Sequence, residues 1–348
     1  MTRTLTLPQA VDGTAFRLLN DWQRDFPLVS RPFAQIGESL GVAEAEVVAR
    51  YRKLAAEGVL SRIGPVFTPR RLGASALAAL AAPPARLEEV AARVSREATI
   101  NHNYEREHRF NLWFVVTAPS AAELDAVVGR IEADTGCPVM VLPLEEEFHI
   151  DLGFDLAGAG ARRPSHRGAS AGQGSAQRCD ASALPEAERR LIASLQGGLP
   201  LVAAPCAAVA DAAAMDEAAV LGKIAHWLDT GLIRRFGAVV RHHELGLDTN
   251  AMCVWDVPDA EVSALGRALA AEPAVTLCYR RRRVLPDWPY NLFCMFHGSS
   301  REEVLAARAG LVARHGIGDL PHAVLFSLRR FKQQGACYLP PKESAAHV

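Results

Sequence analysis

Apolar side chains recur at helical spacing in three blocks near the start of the chain. Phe16, Leu18, Leu19 and Trp22 share one face. Phe33, Ile36 and Leu40 share a second, stopped at Gly41, and Val47, Val48, Tyr51 and Leu54 a third, stopped at Gly58. Residues 59–67 then alternate, predicting a small pair of strands. Three helices and a two-stranded wing make a winged helix-turn-helix. Beyond it the pattern predicts strands at 76–82 and 112–117, helices at 87–95 and 121–134, and closing strands at 139–143 and 148–152. That alternation is an α+β, ferredoxin-like sandwich.

The same unit then repeats. Gly58, Gly64 and Gly73 correspond to Gly231, Gly237 and Gly246, and Pro27 and Pro32 to Pro200 and Pro205, each 173 positions on. The offset grows to 175 at Tyr104/Tyr279 and to 180 at Asn111/Asn291, so the second copy carries about five extra residues around 284–288. The predicted division is a helix-turn-helix at 1–73, a ferredoxin-like domain at 74–156, a linker at 157–183, a second helix-turn-helix at 184–246 and a second ferredoxin-like domain at 247–348. The linker is rich in Gly, Ala and Ser without apolar periodicity, and its His166 and Cys179 are given no role. Its 27 residues span about 26–31 Å as a flexible coil, enough for the two units to form an intramolecular pseudo-dimer.

Composition narrows the classes. With 348 residues, 49% of them hydrophobic, the chain can bury more than one core. A net charge of -1 offers no global attraction for nucleic acid or an anionic membrane. No apolar run approaches the roughly 20 residues of a spanning helix, and residues 1–16 lack the apolar core of a secretion signal, so a cytoplasmic protein is expected. The seven cysteines are odd in number with no C-x-x-C pair, which predicts reduced, packed thiols rather than disulfides or an iron–sulfur site. Histidines show no ligand spacing; His242 and His243 are adjacent and point apart, so no metal site is expected. No phosphate-binding glycine loop, thiamine signature or pyridoxal signature appears, and no cofactor is expected.

The chemistry concentrates in two matched stretches. Residues 101–118 read NHNYEREHRFNLWFVVTA, and residues 278–298 read CYRRRRVLPDWPYNLFCMFHG. Both carry Tyr-x-Arg (Tyr104 and Arg106, Tyr279 and Arg281) and both reach Asn-Leu-aromatic (Asn111 to Trp113, Asn291 to Phe293). Cations and phenols leading into a buried strand suit a carboxylate-binding wall, since arginine forks match carboxylates and Tyr or His can supply a proton. An ordinary basic loop is the alternative for one copy; two copies in matching places weigh against it.

A winged helix-turn-helix joined to a ferredoxin-like domain resembles the Lrp/AsnC regulators. The segments NYEREHRFNLWF, LPLEEEFHIDLGFDL, CYRRRRVLPDWPYNLFCMFHG and FSLRRFKQQGACY are similar to hallmarks of the siroheme decarboxylases, in their fused D–L form of the nitrite-reductase gene cluster. The resemblance covers the chain except the linker. It implies removal of CO2 from the C12 and C18 acetates of siroheme, giving 12,18-didecarboxysiroheme on the way to haem d1. It implies siroheme and its product as partners, without membrane, and with no cofactor beyond the iron that siroheme carries. Association with further copies or other haem d1 pathway proteins stays open. A polycarboxylate ligand then accounts for Arg280, Arg281, Arg282 and Arg283 in succession. Arg106 and Arg281 become matched clamps beside Arg109, and Tyr104, His108, His102, Tyr279 and His297 become candidate proton donors. Core packing is the alternative for His297, and iron ligation is secondary for His102 and His108. Trp113, Phe114, Trp288 and Tyr290 are candidates to line the ring slot, though Trp113 and Phe114 face opposite sides of a strand. Asn111 and Asn291 cap loops or contact substrate. Divergence between the copies suggests one pocket for charge anchoring and another offering a proton donor, or equally two pockets of which only one remains active.

The rival classes are a transcription regulator and a haem sensor that binds without chemistry, because the fold supports each. The recognition-helix segments 43–57 and 216–229 carry net charges of zero and minus two, so specific DNA binding is not expected.

Overall fold

The computed structural model describes residues 12–68, 71–150, 180–240 and 249–339. Linker residues 157–179, including His166 and Cys179, lie outside them, as do His242 and His243. Two lobes result. The helical lobe holds α1 (Gly13–Asn20), α2 (Pro32–Leu40), α3 (Glu44–Ala56) and β1 (Leu60–Phe67), with α6 (Glu186–Gln196), α7 (Pro205–Ala213), α8 (Glu217–Asp229) and β6 (Ile233–Val240). Asp12 starts α1 by accepting from the Ala15 amide at 2.7 Å, and Gly41 ends α2 at φ 71°, where a side chain would be strained.

The wing departs from the sequence reading. Residues 59–67 are not a hairpin within one unit. β1 is a single strand whose antiparallel partner is β6 of the other unit, with Gly64 opposite Gly237. Leu18, Phe33, Tyr51 and Ile63 of the first unit therefore share one core with Ile192, Ile224, Trp227 and Phe236 of the second. Tyr338 and Leu339 join that core, held by Gln196, which accepts from both of their amides (3.0 and 3.2 Å) and donates to the Leu339 carbonyl at 2.5 Å.

The second lobe is a closed antiparallel barrel. Its first half contains β2 (Ala74–Leu80), α4 (Leu87–Arg96), β3 (Ile100–Arg106), β4 (Leu112–Ala118), α5 (Ala121–Thr135) and β5 (Val139–Ile150). Its second half repeats them as β7 (Thr249–Trp255), α9 (Val262–Ala270), β8 (Val275–Arg281), β9 (Leu292–Gly298), α10 (Arg301–His315) and β10 (His322–Gln333). The duplication is visible in the caps: Ser120 and Ser300 each accept from the amide three residues on at 3.2 Å, and Gly136 and Gly316 end the helices at φ 67° and 63°.

Strand order is β10-β3-β4-β2-β5-β8-β9-β7, closing on β10. The two closing strands predicted at 139–143 and 148–152 are one. β5 pairs with β2 through Pro143 and with β8 of the other unit from Leu144. β10 does the same, pairing with β7 through Phe326 and with β3 from Ser327. The expected pairing of sheets thus takes the form of a barrel. The sequence reading also passed over β3 and β8, which are the Tyr-x-Arg stretches themselves.

Alternation divides the side chains. Leu112, Phe114 and Val116 of β4 point outward under α4 and α5, and Cys253, Cys278 and Cys294 outward under α9 and α10. Trp113, Leu142, Met252 and Phe293 point into the barrel. Among the described residues six cysteines are free and all but Cys337 are buried. None of the helices among those residues is long and apolar enough to cross a membrane.

At Gly237 an added Cβ would lie 2.3 Å from the Trp22 carbonyl oxygen and 2.7 Å from that of Gln23. Gly237→Ala should therefore destabilise the protein by about 1–3 kcal/mol, measured by urea unfolding. Gly222→Ala on α8, where nothing lies within 4 Å, is the control and should not destabilise.

Candidate active site

One end of the barrel is plugged. Trp288 is fully buried there, in edge-to-face contact with Trp113 and Tyr290 (centroids 5.0 Å each) and with His108 (5.3 Å). The other end opens into a cavity of about 400 Å³, roofed by the β1–β6 ribbon. An eight-stranded barrel is wide enough for one ligand when its interior is not filled, and this one is half filled. A hollow of about 470 Å³ on α2, at Arg31, Gly37, Glu38 and Glu44, is an open surface groove without aromatic lining.

The cavity walls carry polar groups in two tiers. The deep tier is Tyr104 and Arg106 from β3 and Tyr279 and Arg281 from β8. Positions i and i+2 of a strand share a face, so Tyr-x-Arg delivers both side chains inward. The Arg281 guanidinium carbon lies 4.6 Å from the Tyr279 ring centroid and that of Arg106 5.8 Å from Tyr104. Arg281 donates to the Leu142 carbonyl at 2.7 Å and Arg106 to the Leu325 carbonyl at 3.0 Å. Each backbone acceptor aims a guanidinium without neutralising it. Burial pulls both guanidiniums below their ordinary value and pushes the Tyr104 phenol up, so Tyr104 keeps its proton at neutral pH.

The mouth tier combines Asn101, His102, Thr117, Asn250, Thr276 and His297 with Arg62 and Arg235 of the ribbon. Burial, and then the charge of Arg62, lower the His102 pKa to about 4, leaving a neutral imidazole. Thr276 donates to the Met295 carbonyl at 3.1 Å and meets His297 Nδ1 at 2.9 Å, so its hydroxyl accepts there and the imidazole proton sits on Nδ1. Burial lowers Arg62 to about 10, and its Nε is enclosed without an acceptor.

Of the residues singled out in the sequence, His102, Tyr104, Arg106, Trp113, Tyr279, Arg281 and His297 line the cavity. The others do not. Arg280 turns to Glu145 and Asp259 at 2.9 and 3.0 Å, and Arg282 is exposed with Glu145 3.9 Å away. Arg283 pairs with Asp256 and Asp259 at 2.6 and 2.8 Å. Acidic neighbours, not a ligand, relieve the repulsion in the arginine run: alternation turns Arg280 away from the cavity, and β8 ends at Arg281, so Arg282 and Arg283 lie beyond the strand. Arg109 pairs with Asp287 at the exposed rim. His108 accepts from the Phe110 amide at 3.1 Å and packs with Trp288 in the plug, as does Tyr290. Asn111 clasps the backbone of Ala82 in both directions (2.8 and 2.9 Å), and Asn291 that of Val257 (3.0 and 2.9 Å). They cap loops.

Arg62, Arg235, Thr276, Asn250 and residues 333–336 were missed. The signal for the first two was present: each is an arginine within an apolar strand, in both copies, 173 positions apart. Both copies contribute to one cavity, so the expected division into two pockets does not hold.

Comparison with known proteins fits this arrangement. Residues 16–60 and 188–234 match a family model described as the siroheme decarboxylase NirDL-like HTH domain, and residues 71–149 and 244–332 match the AsnC-like ligand binding domain. The chain is 44% identical to the siroheme decarboxylase NirDL subunit of Paracoccus denitrificans, over 94% of this chain and 97% of that protein. The chain belongs to the siroheme decarboxylase family. Another member, the siroheme decarboxylase of Hydrogenobacter thermophilus, is 32% identical over 91% of this chain and 92% of its own. A crystal structure of siroheme decarboxylase NirDL in complex with an iron-uroporphyrin III analogue superposes with a TM-score of 0.67 at 30% identity, covering 94% of this chain and 93% of that one. For this siroheme decarboxylase family member the fold is therefore shared along nearly its whole length.

In the folded protein His102 stays neutral down to about pH 4, whereas in the unfolded chain it takes a proton near its ordinary value of 6.5. The unfolded state then binds more protons between those values, so stability falls as pH drops from about 6.5 toward 4. The loss should be on the order of 1–3 kcal/mol. His102→Leu, which copies Leu277 at the equivalent place, should flatten that dependence in urea unfolding at about pH 7 and about pH 5.

Proposed function

We propose that this chain decarboxylates siroheme at the C12 and C18 acetates, giving 12,18-didecarboxysiroheme in haem d1 biosynthesis. One observation carries the reading. Arg62, Arg106 and Arg281 surround an apolar, aromatic cavity, and none has a carboxylate partner among the described residues. Buried cations without counter-charge are costly, and a polycarboxylate ligand supplies that charge. Leu77, Trp113, Val115, Met252, Leu277 and Met295 supply the surface for a flat macrocycle.

The arginines hold carboxylates that do not react and fix the ring. At each reacting arm the bond between the methylene and carboxylate carbons breaks and CO2 departs. The electron pair passes into the conjugated macrocycle, and the methylene carbon takes a proton to become methyl. Two CO2 leave and two protons enter per siroheme. Tyr104 and Tyr279 are our proton donors: each phenol faces the cavity, and each has an arginine two residues on to stabilise the phenolate left behind. His102 and His297, at the mouth, lie between these phenols and solvent, and protons from water reach the phenolates by way of them. We assign the electron sink to the substrate's own ring, and to the protein no organic cofactor or metal.

Anaerobic incubation with siroheme, followed by product mass, tests the reading. Loss of two CO2 is expected; an unchanged tetrapyrrole that stays bound would mark a sensor instead. Tyr104→Phe and Tyr279→Phe should each slow turnover about 10²–10⁴-fold while siroheme still binds. Arg281→Ala should weaken binding by about 1.5–3 kcal/mol in an absorption titration. His108→Ala, in the plug, should lower stability without changing the donor.

A regulator's role is disfavoured by how the presumed recognition helices spend their cations. On α3, Arg50 contacts Glu46 at 2.8 Å and Asp12 at 2.5 Å, and Arg52 donates to the Leu201 carbonyl of the other unit at 3.0 Å. On α8, Lys223 pairs with Glu188 at 3.0 Å. We expect no promoter fragment to be retained in a gel shift at physiological salt; nanomolar retention would revive the regulator.

A further inference from the structure

We infer that Gly335 is a positioning residue for the ligand: it leaves the space in which the Arg62 guanidinium rests over the cavity mouth. This rests on the siroheme reading and adds how one clamp is aimed.

Residues 333–339 cross the mouth as a strap, and Gln333, Gln334, Gly335, Ala336 and Tyr338 line the cavity. The strap is fastened along its length. The Gln334 amide donates to the Asn101 carbonyl at 2.8 Å, Thr117 to the Cys337 carbonyl at 2.8 Å, and Gln196 clasps Tyr338 and Leu339. Tyr338 packs edge-on against Phe67 of the ribbon, with ring centroids 6.0 Å apart.

Arg62 lies between two glycines from separate segments. A Cβ at Gly198 would lie 2.7 Å from the Arg62 Cβ, and Gly198 has φ +102°, a conformation side chains rarely adopt. A Cβ at Gly335 would lie 2.7 Å from both Cζ and Nη1 of the guanidinium. The first contact fixes the base of the side chain and the second its head. Because the head is the movable end, a methyl at 335 displaces the guanidinium and leaves the backbone in place.

What is held there has donors to spend. One Arg62 nitrogen, Nη2, donates to the Pro65 carbonyl at 3.1 Å, while Nε is enclosed with no acceptor among the described residues. The duplicate Arg235 is used differently: its Nη1 donates to the Gln23 and Ala238 carbonyls at 2.6 and 3.0 Å, bracing ribbon to helices. The two ribbon arginines are therefore unequal. Arg62 reads a carboxylate at the mouth, and its aim depends on residue 335.

A double-mutant cycle tests this, with iron-uroporphyrin III as the probe and its affinity read by absorption titration. Gly335→Ala should weaken binding about tenfold, the scale of one hydrogen bond to a charged group. In an Arg62→Lys background there is no guanidinium plane for the methyl to meet, and Gly335→Ala should change affinity by less than about twofold. Native affinity in Gly335→Ala overturns the inference. So does an equal loss in both backgrounds, which would mark a general disturbance of the strap. If the native chain binds no iron-uroporphyrin III, the siroheme reading falls with it; if the native chain binds and only the cycle fails, the siroheme reading stands.

Discussion

Everything about the site depends on two strands that are too long for their own sheets. β5 and β10 each run for 12 residues, and each spends one half on its own unit and the other half on its neighbour. A four-stranded ferredoxin-like sheet has exposed edges, which need partners. Here the edges are satisfied by mutual exchange, and the ladder closes. Closure turns the face of each sheet that its helices do not cover toward the corresponding face of the other. The cavity exists because those two faces are not complementary enough to fill the space between them.

That explains which parts were legible in the sequence. Residues on the outer faces, such as Val90, Val94, Leu124 and Ile131, follow ordinary periodicity because they pack against a helix of the same unit. β3 was passed over because its inward positions are His102, Tyr104 and Arg106, the reverse of a buried-strand pattern. Polar side chains face inward there because the inside is a binding cavity. The wing was misread for a related reason. Its alternation correctly indicated a strand, but nothing local says that the partner lies 173 positions away. The arginine run misled in the opposite direction: charge density suggested ligand contact, while β8 ends at Arg281 and only that arginine of the run turns inward.

Duplication followed by divergence accounts for the asymmetry of the pocket. Tyr104 and Tyr279, Arg106 and Arg281, and Arg62 and Arg235 are matched pairs, whereas His102 stands opposite Leu277 in the alignment of copies and His297 opposite Thr117. The conserved pairs are those that bind charge or carry a phenol. The unmatched histidines lie at the mouth, where the two units meet solvent and ribbon differently. A symmetric cavity would suit a symmetric ligand; siroheme has acetates at chemically distinct positions, and unequal walls can hold it in one orientation.

The helical lobe shows how a helix-turn-helix architecture can be built into the binding site of the same chain. Joining β1 to β6 merges two helix-turn-helix units into one core, and Arg52 of α3 donates across the surface to the Leu201 carbonyl of the other unit. Phosphate binding needs several cations presented together on one accessible face. With the units joined, the ribbon between them serves as a roof for the barrel, bringing Arg62 and Arg235 over its open end. The same tandem pairing that merges the two helical units therefore completes the site.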